Sequence, residues 1–320
     1  MPKKTKRPKP PPAKVLSTYQ LMQRYPDEQA AINYLKPILW PKGPVCPRCE
    51  SKYITDKRNK NLYRCNDCQK EFTIRVGTIF HRSHVPLHKW LYAMYLIVTA
   101  RKGISSMQLS KEIGVTQKTA WFLLQRIRAA CGNQMEKILS GIVEVDETYI
   151  GGIEKNKHES KKLNIGRGSV GKRPIVGLRD RSGQVVAKVI TTTDGPTLQG
   201  AILQTTVPGS TVCTDEYPSY NGIKSQFKHR TVNHSAKQFI DSMVHTNGIE
   251  SVWAVVKRGF YGVYHSFNEK HLGLYIDEFV FRLNEGNCAI NTVDRLESLA
   301  KGMMYKRLTY KMLTKEKTIA

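Results

Sequence analysis

Two pairs of cysteines place the strongest single constraint on how this chain folds. Two residues separate Cys46 from Cys49 and Cys65 from Cys68, and fifteen residues lie between the pairs. Four thiolates at this spacing can surround one tetrahedral Zn²⁺, and such a site leaves no open position for catalysis. The sequence therefore predicts a zinc ribbon with a structural Zn²⁺. Free buried cysteines or a redox pair are the alternative, but two pairs in register rarely arise that way.

Cysteine usage and hydropathy also bear on the compartment. The chain has seven cysteines, an odd number, and four of them form the metal pattern, which favours a reducing cytosol over a disulfide framework. The longest apolar run, Trp90 to Ala100, is eleven residues long and too short to span a bilayer. The N-terminus lacks the apolar segment of a secretory signal. We therefore expect a cytoplasmic protein without a membrane partner.

The charge balance indicates a polyanionic partner. The chain carries 51 Lys and Arg against 26 Asp and Glu, a net charge of +25. Nucleic acid is the first candidate for such a surface, although basic charge can also serve solubility alone. Residues 1–18 are predicted to be a disordered basic tail, and residues 301–320 a second basic tail.

Residues 19–80 are predicted to form an N-terminal helix followed by the ribbon, and residues 85–135 a set of helices. A turn at Gly114 and a capping residue at Thr116 separate two of these helices, which is the helix-turn-helix plan. An ordinary three-helix bundle linking two domains is the alternative. The predicted DNA contacts are three residues at the start of the recognition helix, one on its polar face and one on the ribbon: Gln117, Lys118, Thr119, Arg126 and Arg64.

From about residue 140 the sequence pattern changes from all-helical to a mixture of predicted strands and helices. The run from Ile142 to Gly152 mixes β-branched and acidic residues and ends in two glycines, which predicts a strand. Alternation puts Glu144 and Asp146 on one face and Glu147 on the other. A buried acid in a strand is costly unless it is paired or holds a cation. The alternative is an edge strand with a solvated acidic face.

Two later stretches add polar groups of the same kind. A short β-prone run ends at Asp215, and a helix predicted from 245 to 258 places Asn247, Glu250 and Lys257 on one polar face. Glu250 follows Asp215 by 35 positions, and Lys257 follows Glu250 by seven.

With these motifs the chain resembles the DDE transposases of bacterial insertion sequences, specifically the group with an N-terminal zinc ribbon. The resemblance extends over the runs VDETYIGG, TDEYPSY and HTNGIESVWAVVKRGFYGVYH. It implies a carboxylate triad of Asp146, Asp215 and Glu250, with Lys257 contacting a phosphate near the scissile bond. Because some related elements use an asparagine in the catalytic set, Asn247 is a second candidate for the third ligand.

From residue 140 to 300 the predicted order is three strands, helix, strand, helix-like segment, strand and helix. This is the order of the ribonuclease-H-like fold, which the resemblance also implies. The predicted fold class is thus multidomain, with a small zinc ribbon, a helix-turn-helix bundle and an α/β ribonuclease-H-like catalytic domain. A polar insert, 153–173, is predicted to be either a loop that orders on DNA or an idle surface loop.

The implied chemistry is phosphodiester cleavage with two Mg²⁺ ions, for which Mn²⁺ is a substitute. Hard divalent ions prefer carboxylate oxygen, and two of them stabilise the attacking and leaving oxygens. Asp146 would bridge the ions, while Asp215 and Glu250 would each hold one. An ionised Glu250 is a better Mg²⁺ ligand than the neutral amide of Asn247, so we expect Asn247 to assist.

Three functions compete at this point. The first is a transposase that acts on double-stranded DNA, both the terminal inverted repeats of its element and target DNA, as a homodimer or larger assembly. The second is a non-catalytic DNA-binding regulator, and the third is a nuclease without strand transfer. The intact triad argues against the regulator. Two predicted DNA-reading modules favour the transposase over the nuclease.

Overall fold

The computed structural model describes residues 12–57, 61–132, 137–152, 158, 160, 162, 171–232 and 245–314. Its helices are α1 Thr18–Arg24, α2 Glu28–Leu39, α3 Leu87–Thr99, α4 Ser106–Ile113, α5 Gln117–Cys131, α6 Gly195–Thr205, α7 Asn247–Gly259, α8 Leu272–Leu283, α9 Thr292–Lys301 and α10 Tyr310–Thr314. Its strands are β1 Ile54–Lys57, β2 Leu62–Cys65, β3 Glu71–Phe72, β4 Ile142–Ile150, β5 Arg173–Asp180, β6 Val185–Val189, β7 Thr211–Thr214 and β8 Lys228–Thr231. Within these ranges no helix is both long and apolar enough to cross a membrane.

The first sheet is a small antiparallel one that packs on helix α2. Its strand order is β1-β2-β3. The ring of Trp40, at the end of α2, meets Tyr63 edge to face at 5.1 Å and Phe72 at 6.0 Å. These three aromatic side chains are buried. They attach the cysteine-bearing sheet to the helical part of the molecule.

Helices α4 and α5 begin and end where local capping groups predict. Ser105 accepts a hydrogen bond from the backbone N–H of Gln108 at the start of α4, and Thr116 accepts one from Thr119 at the start of α5. Gly114 ends α4 in the left-handed conformation, with φ of 63°, which glycine adopts without a steric cost. These helices share one hydrophobic core with α1, α2, α3 and α9.

A five-stranded mixed sheet forms the second half of the molecule. Its order is β6-β5-β4-β7-β8. The contacts of β4 with β7 and of β7 with β8 are parallel, while β4, β5 and β6 pair antiparallel. One face packs on α6 and the 3₁₀ helix Pro218–Ser225, and the other packs on α7 and α8. The central strand β4 is therefore covered on both faces.

Parts of both predicted tails are bound to the rest of the protein. Residues 1–11 and 315–320 lie outside the described residues. The backbone N–H of Lys14 donates to Asn291 at 2.8 Å, and that of Leu16 donates to Thr292 at 3.2 Å. Near the other end, Met303 and Leu313 are buried. Within 12–18 and 301–314 the structure thus contains backbone hydrogen bonds and buried apolar side chains that the predicted tails did not include.

The predicted insert, 153–173, lies outside the described residues apart from 158, 160, 162 and 171–173.

Candidate active site and metal centre

The four paired cysteines form a compact cluster at the base of the small sheet. Their sulfur atoms all lie within 4.8 Å of one another. The sulfurs of Cys46 and Cys68 are 3.6 Å apart, and those of Cys49 and Cys65 are 3.5 Å apart. Tetrahedral Zn²⁺ with Zn–S bonds of about 2.3 Å requires S···S separations of about 3.8 Å. The cluster therefore has the composition and size of the predicted structural zinc site.

Asp146 lies in the middle of β4, opposite Gly177 of β5. Its side chain is on the face that packs against α7. The indole N–H of Trp253, in α7, donates to Oδ2 of Asp146 at 3.0 Å. The predicted first carboxylate is thus held within the sheet-helix interface rather than on a solvated edge.

The other two predicted carboxylates flank Asp146. Strands β4 and β7 run parallel, with Glu144 opposite Cys213, so Asp215 emerges just past β7 at the level of Asp146. Its Oδ1 accepts the backbone N–H of Tyr217 at 3.0 Å. Glu250 lies in the first turn of α7, where its Oε1 accepts the hydroxyl of Thr246 at 2.9 Å.

The charges of Asp215 and Glu250 act on Asp146. Burial and these two charges together raise the pKa of Asp146 to about 6, against the opposing hydrogen bonds from the backbone of Glu147 and from Trp253. A cation between these groups would relieve that repulsion, and oxygen donors are what Mg²⁺ requires. The donor set therefore fits a divalent cation. Among the described residues, however, only the cysteines bring three or more donor atoms within 4.8 Å of one another.

A fourth carboxyl group, which the sequence analysis did not assign to the site, follows Asp146 directly. Burial, together with the charges of Asp215 and Asp146, raises the pKa of Glu147 to about 7. Its side chain is on the opposite face of β4, near the buried Tyr220. Strand alternation predicted the face, but the burial comes from the 3₁₀ helix after β7.

The start of α7 is held by residues that sequence reasoning did not identify. The buried side chain of Glu144 accepts the backbone N–H of Ile249 at 2.7 Å and forms an ion pair with Arg181. Arg179 donates to the carbonyl oxygen of Gly248 at 2.7 Å. Only the strand position of Glu144, on the same face as Asp146, was a signal in the sequence.

Asn247 and Lys257 are both exposed and both on α7. Asn247 is the first residue of the helix, one turn before Glu250, and Lys257 lies in the last turn. The structure thus keeps all three on the helix that packs against β4.

Four of the five predicted DNA contacts lie at accessible or partly accessible positions. Gln117 and Lys118 are exposed at the start of α5, Thr119 is half-buried beside them, and Arg64 is exposed on β2. Gln117 donates to the hydroxyl of Ser106 at 2.8 Å. The ammonium group of Lys118 lies 4.7 Å from the centre of the Tyr310 ring.

Arg126, the fifth predicted DNA contact, does not lie on an accessible surface. Its side chain is only 5% exposed. The guanidinium group donates to the carbonyl oxygens of Leu308 at 3.0 Å and His81 at 2.7 Å. The C-terminal segment covers this face of α5, which helical periodicity alone predicted to be polar and open.

Two segments of the chain match models of known protein families. Residues 138–284 match the family model of the ISXO2-like transposase domain, and residues 26–71 match that of a transposase zinc-ribbon domain. A protein of the transposable element ISH50 from the archaeon Halobacterium salinarum, itself described as uncharacterized, is 30% identical over 254 residues, which cover 74% of this chain and 84% of that protein.

Solved structures of a Mos1 transposase show a weak likeness. A pre-cleavage Mos1 transpososome covers 65% of this chain and 76% of its own, at 13% identity and a TM-score of 0.25. A Mos1 strand transfer complex covers 60% of this chain and 75% of its own, at 14% identity and a TM-score of 0.22.

Proposed function

Because this chain belongs to the family of ISXO2-like insertion-sequence transposases, we propose that it is a DDE-type enzyme that cleaves DNA at element ends and joins the 3′-OH to target DNA. The observation that carries this proposal is the environment of Asp146. Its carboxyl group is partly buried at the centre of the sheet, and the charges of Asp215 and Glu250 act on it. A strand acid in such surroundings is costly unless it is paired or holds a cation.

The proposed metal ligands are Asp146, Asp215 and Glu250. When bound to them, Mg²⁺ or Mn²⁺ supplies charge stabilisation at the attacking and leaving oxygens of a phosphodiester. The chain's own part is to fix the carboxylates on two adjacent strands and one helix. Lys257, exposed on that helix, is proposed to bind a phosphate of the DNA, where its ammonium acts as a point charge.

The strand order supports a ribonuclease-H-like assignment for this domain. Numbered from β4, the sheet has the order 3-2-1-4-5, with the first three strands antiparallel and the last two parallel to the first. In that arrangement the first and fourth strands are neighbours, so Asp146 and Asp215 come to adjacent positions. The helix after the fifth strand then supplies Glu250.

The proposed partner is double-stranded DNA, both element ends and target, bound by a homodimer or larger assembly. The ribbon and the α4-α5 pair are the proposed recognition modules. Gln117, Lys118 and Thr119 begin α5, the position from which a recognition helix reads base edges. Arg64 on the ribbon is proposed to contact phosphate, which positions a protein on DNA without reading sequence.

The decisive experiment is incubation of the purified full chain with labelled end DNA, a target plasmid and Mg²⁺. We expect both 3′ nicks at the end and products joined to the plasmid. An Asp146→Asn protein, which keeps the side-chain volume, is the matched control and should give neither. Nicks without joined products would instead support a nuclease, and DNA binding without any cleavage would support a regulator.

The choice of the third ligand has its own test. Glu250→Gln should lose nearly all Mg²⁺-dependent cleavage while still binding end DNA, since the amide keeps the shape but not the charge. Asn247→Ala should keep measurable activity because Asn247 is proposed to assist rather than to hold the metal. An inactive Asn247→Ala protein beside an active Glu250→Gln protein would reverse the assignment.

A further inference from the structure

Trp253 makes a contact that its place in an apolar stripe does not explain. The side chain is 4% exposed and belongs to the core between α7 and the sheet, with Ile249, Val252 and Val256. Packing in such a core requires no hydrogen-bond donor. Yet the indole N–H is directed at Oδ2 of Asp146, with a donor–acceptor distance of 3.0 Å.

The position of the ring is fixed by the strand beneath it. Gly177 lies opposite Asp146 in the pairing of β4 with β5. A Cβ atom at Gly177 would lie 2.5 Å from both Cη2 and Cζ2 of Trp253, closer than such atoms can approach. Gly177 does not have a positive φ, so space rather than backbone conformation requires glycine here. The missing side chain makes the slot in which the ring lies.

We propose that Trp253 is a positioning residue for Asp146: its indole N–H fixes the orientation in which that carboxylate meets a divalent cation, and Gly177 provides the space that this orientation needs. This inference rests on the proposed function, since it takes Asp146 to be a metal ligand. A carboxylate can rotate about its Cβ–Cγ bond and offers about four lone-pair positions. The hydrogen bond to Oδ2 restricts that rotation and leaves the remaining positions for the cation.

Such support of a ligand by a hydrogen bond has a measurable size. Loss of a group that orients a metal ligand typically costs about 10- to 100-fold in metal affinity or activity. The ligand itself remains, so the effect is a weaker site rather than an absent one. A purely structural tryptophan would instead change stability and leave the affinity of the folded protein unaltered.

The test is calorimetric titration of the full chain, without DNA, with Mg²⁺ and with Mn²⁺. The relevant binding is the part that Asp146→Asn abolishes. We expect Trp253→Phe, which keeps an aromatic ring but has no N–H, to need about tenfold more cation for half-saturation. Trp121→Phe is the matched control and should bind as the wild type does, because Trp121 contacts His271 and Tyr310 instead.

Trp253→Phe binding within twofold of the wild type would overturn the inference. Absence of Asp146-dependent binding in the wild type would overturn the proposed function, and this inference with it. Strong wild-type binding together with an unaffected Trp253→Phe protein would leave the function standing and reject only the role of Trp253. The two failures are therefore distinguishable.

A second readout does not need the Trp253→Phe protein to fold. In the Trp121→Phe background, cation binding should change the tryptophan fluorescence, because the indole of Trp253 touches a ligand. The change should vanish in Asp146→Asn. Gly177→Ala, which displaces the ring but keeps the tryptophan, should weaken cation binding about as much as Trp253→Phe. Saturation by Mg²⁺ without any change in emission would reject the inference.

Discussion

At the scale of single residues, the charge of Asp146 lowers the free energy of unfolding of the protein that carries the proposed site. Its pKa is raised to about 6, chiefly by burial and further by the neighbouring carboxylates. Between the pKa of a free aspartate and this value, the folded protein binds a proton that the unfolded chain has already released. Stability therefore falls as the pH rises through that window.

Asp146→Asn should remove this penalty. An asparagine has no charge to desolvate, and its carbonyl oxygen can still accept the N–H of Trp253. A shift of about two pKa units corresponds to roughly 3 kcal/mol, so without divalent cations the variant should gain up to about that much stability at pH 8. Near pH 3.5 it should gain almost nothing.

Urea denaturation of both proteins across this pH range measures the difference. Glu250→Gln is the control, because Glu250 is exposed and its replacement should bring no comparable gain at pH 8. A stability gain for Asp146→Asn that did not depend on pH would mean that the surroundings of Asp146 do not raise the pKa of its carboxyl group.

Single residues also mark the limit of what the sequence could predict. Asp146, Asp215 and Glu250 could be proposed because their motifs resemble those of a known family, and local patterns placed them on predicted strands and a predicted helix. The burial of Arg126 depends on Leu308, 182 residues further along the chain, and the contact of Asp146 with Trp253 spans 107 residues. Periodicity carries no information about which distant segment covers a face.

At the scale of elements, helices α4 and α5 are capped by residues next to them in the sequence, whereas α7 is capped by a residue from a distant strand. Ser105 and Thr116 cap α4 and α5 within three residues, and the sequence predicted the start of α5 from Thr116. Thr246 makes no side-chain cap at the start of α7. Glu144, on the strand that bears Asp146, takes that role instead by accepting the N–H of Ile249.

This non-local cap predicts a strong coupling between Glu144 and Gly248. A Cβ at Gly248 would lie 2.7 Å from Oε2 of Glu144, so Gly248→Ala should destabilise the wild type although alanine favours a helix. Glu144→Ala should lower the free energy of unfolding by about 2–4 kcal/mol. It removes the carboxylate that accepts the buried N–H of Ile249 and pairs with Arg181. In the Glu144→Ala background, Gly248→Ala should cost little or should stabilise.

Chemical denaturation of the two single variants and the double variant gives the coupling energy directly. Additive effects would show that Glu144 does not lie against the start of α7. Glu216→Ala removes an exposed acid elsewhere and serves as the control for the loss of one negative charge.

At the scale of the whole molecule, a buried charge network joins the helical half to the sheet half. Glu278 of α8 is fully buried, and its carboxylate accepts a hydrogen bond from Arg128 of α5 at 2.5 Å. It also accepts hydrogen bonds from Arg282 and from the hydroxyl of Tyr264. Sequence patterns could not predict this network, because Arg128 and Glu278 are 150 residues apart.

Removing the carboxylate at the centre of this network should destabilise the folded protein. Glu278→Gln leaves two buried arginines without a negative partner, and breaking a buried pair in this way costs about 3–5 kcal/mol. Thermal denaturation should show a lower midpoint than in the wild type. Glu297→Gln, which alters an exposed pair with Lys301, should change the midpoint little.

The basic surface of the whole molecule predicts a salt-dependent affinity for DNA. Each phosphate contact releases counterions, so with a net charge of +25 affinity for end DNA should fall steeply with salt. Lys118→Ala should weaken binding and make the salt slope shallower by about one, because Lys118 is exposed at the start of α5. Arg126→Ala should leave the slope unchanged and lower stability instead, since its guanidinium group holds the C-terminal segment against α5. Equal loss of slope in both variants would show that this segment moves away when DNA binds. An unchanged slope in both would show that α5 does not face the DNA.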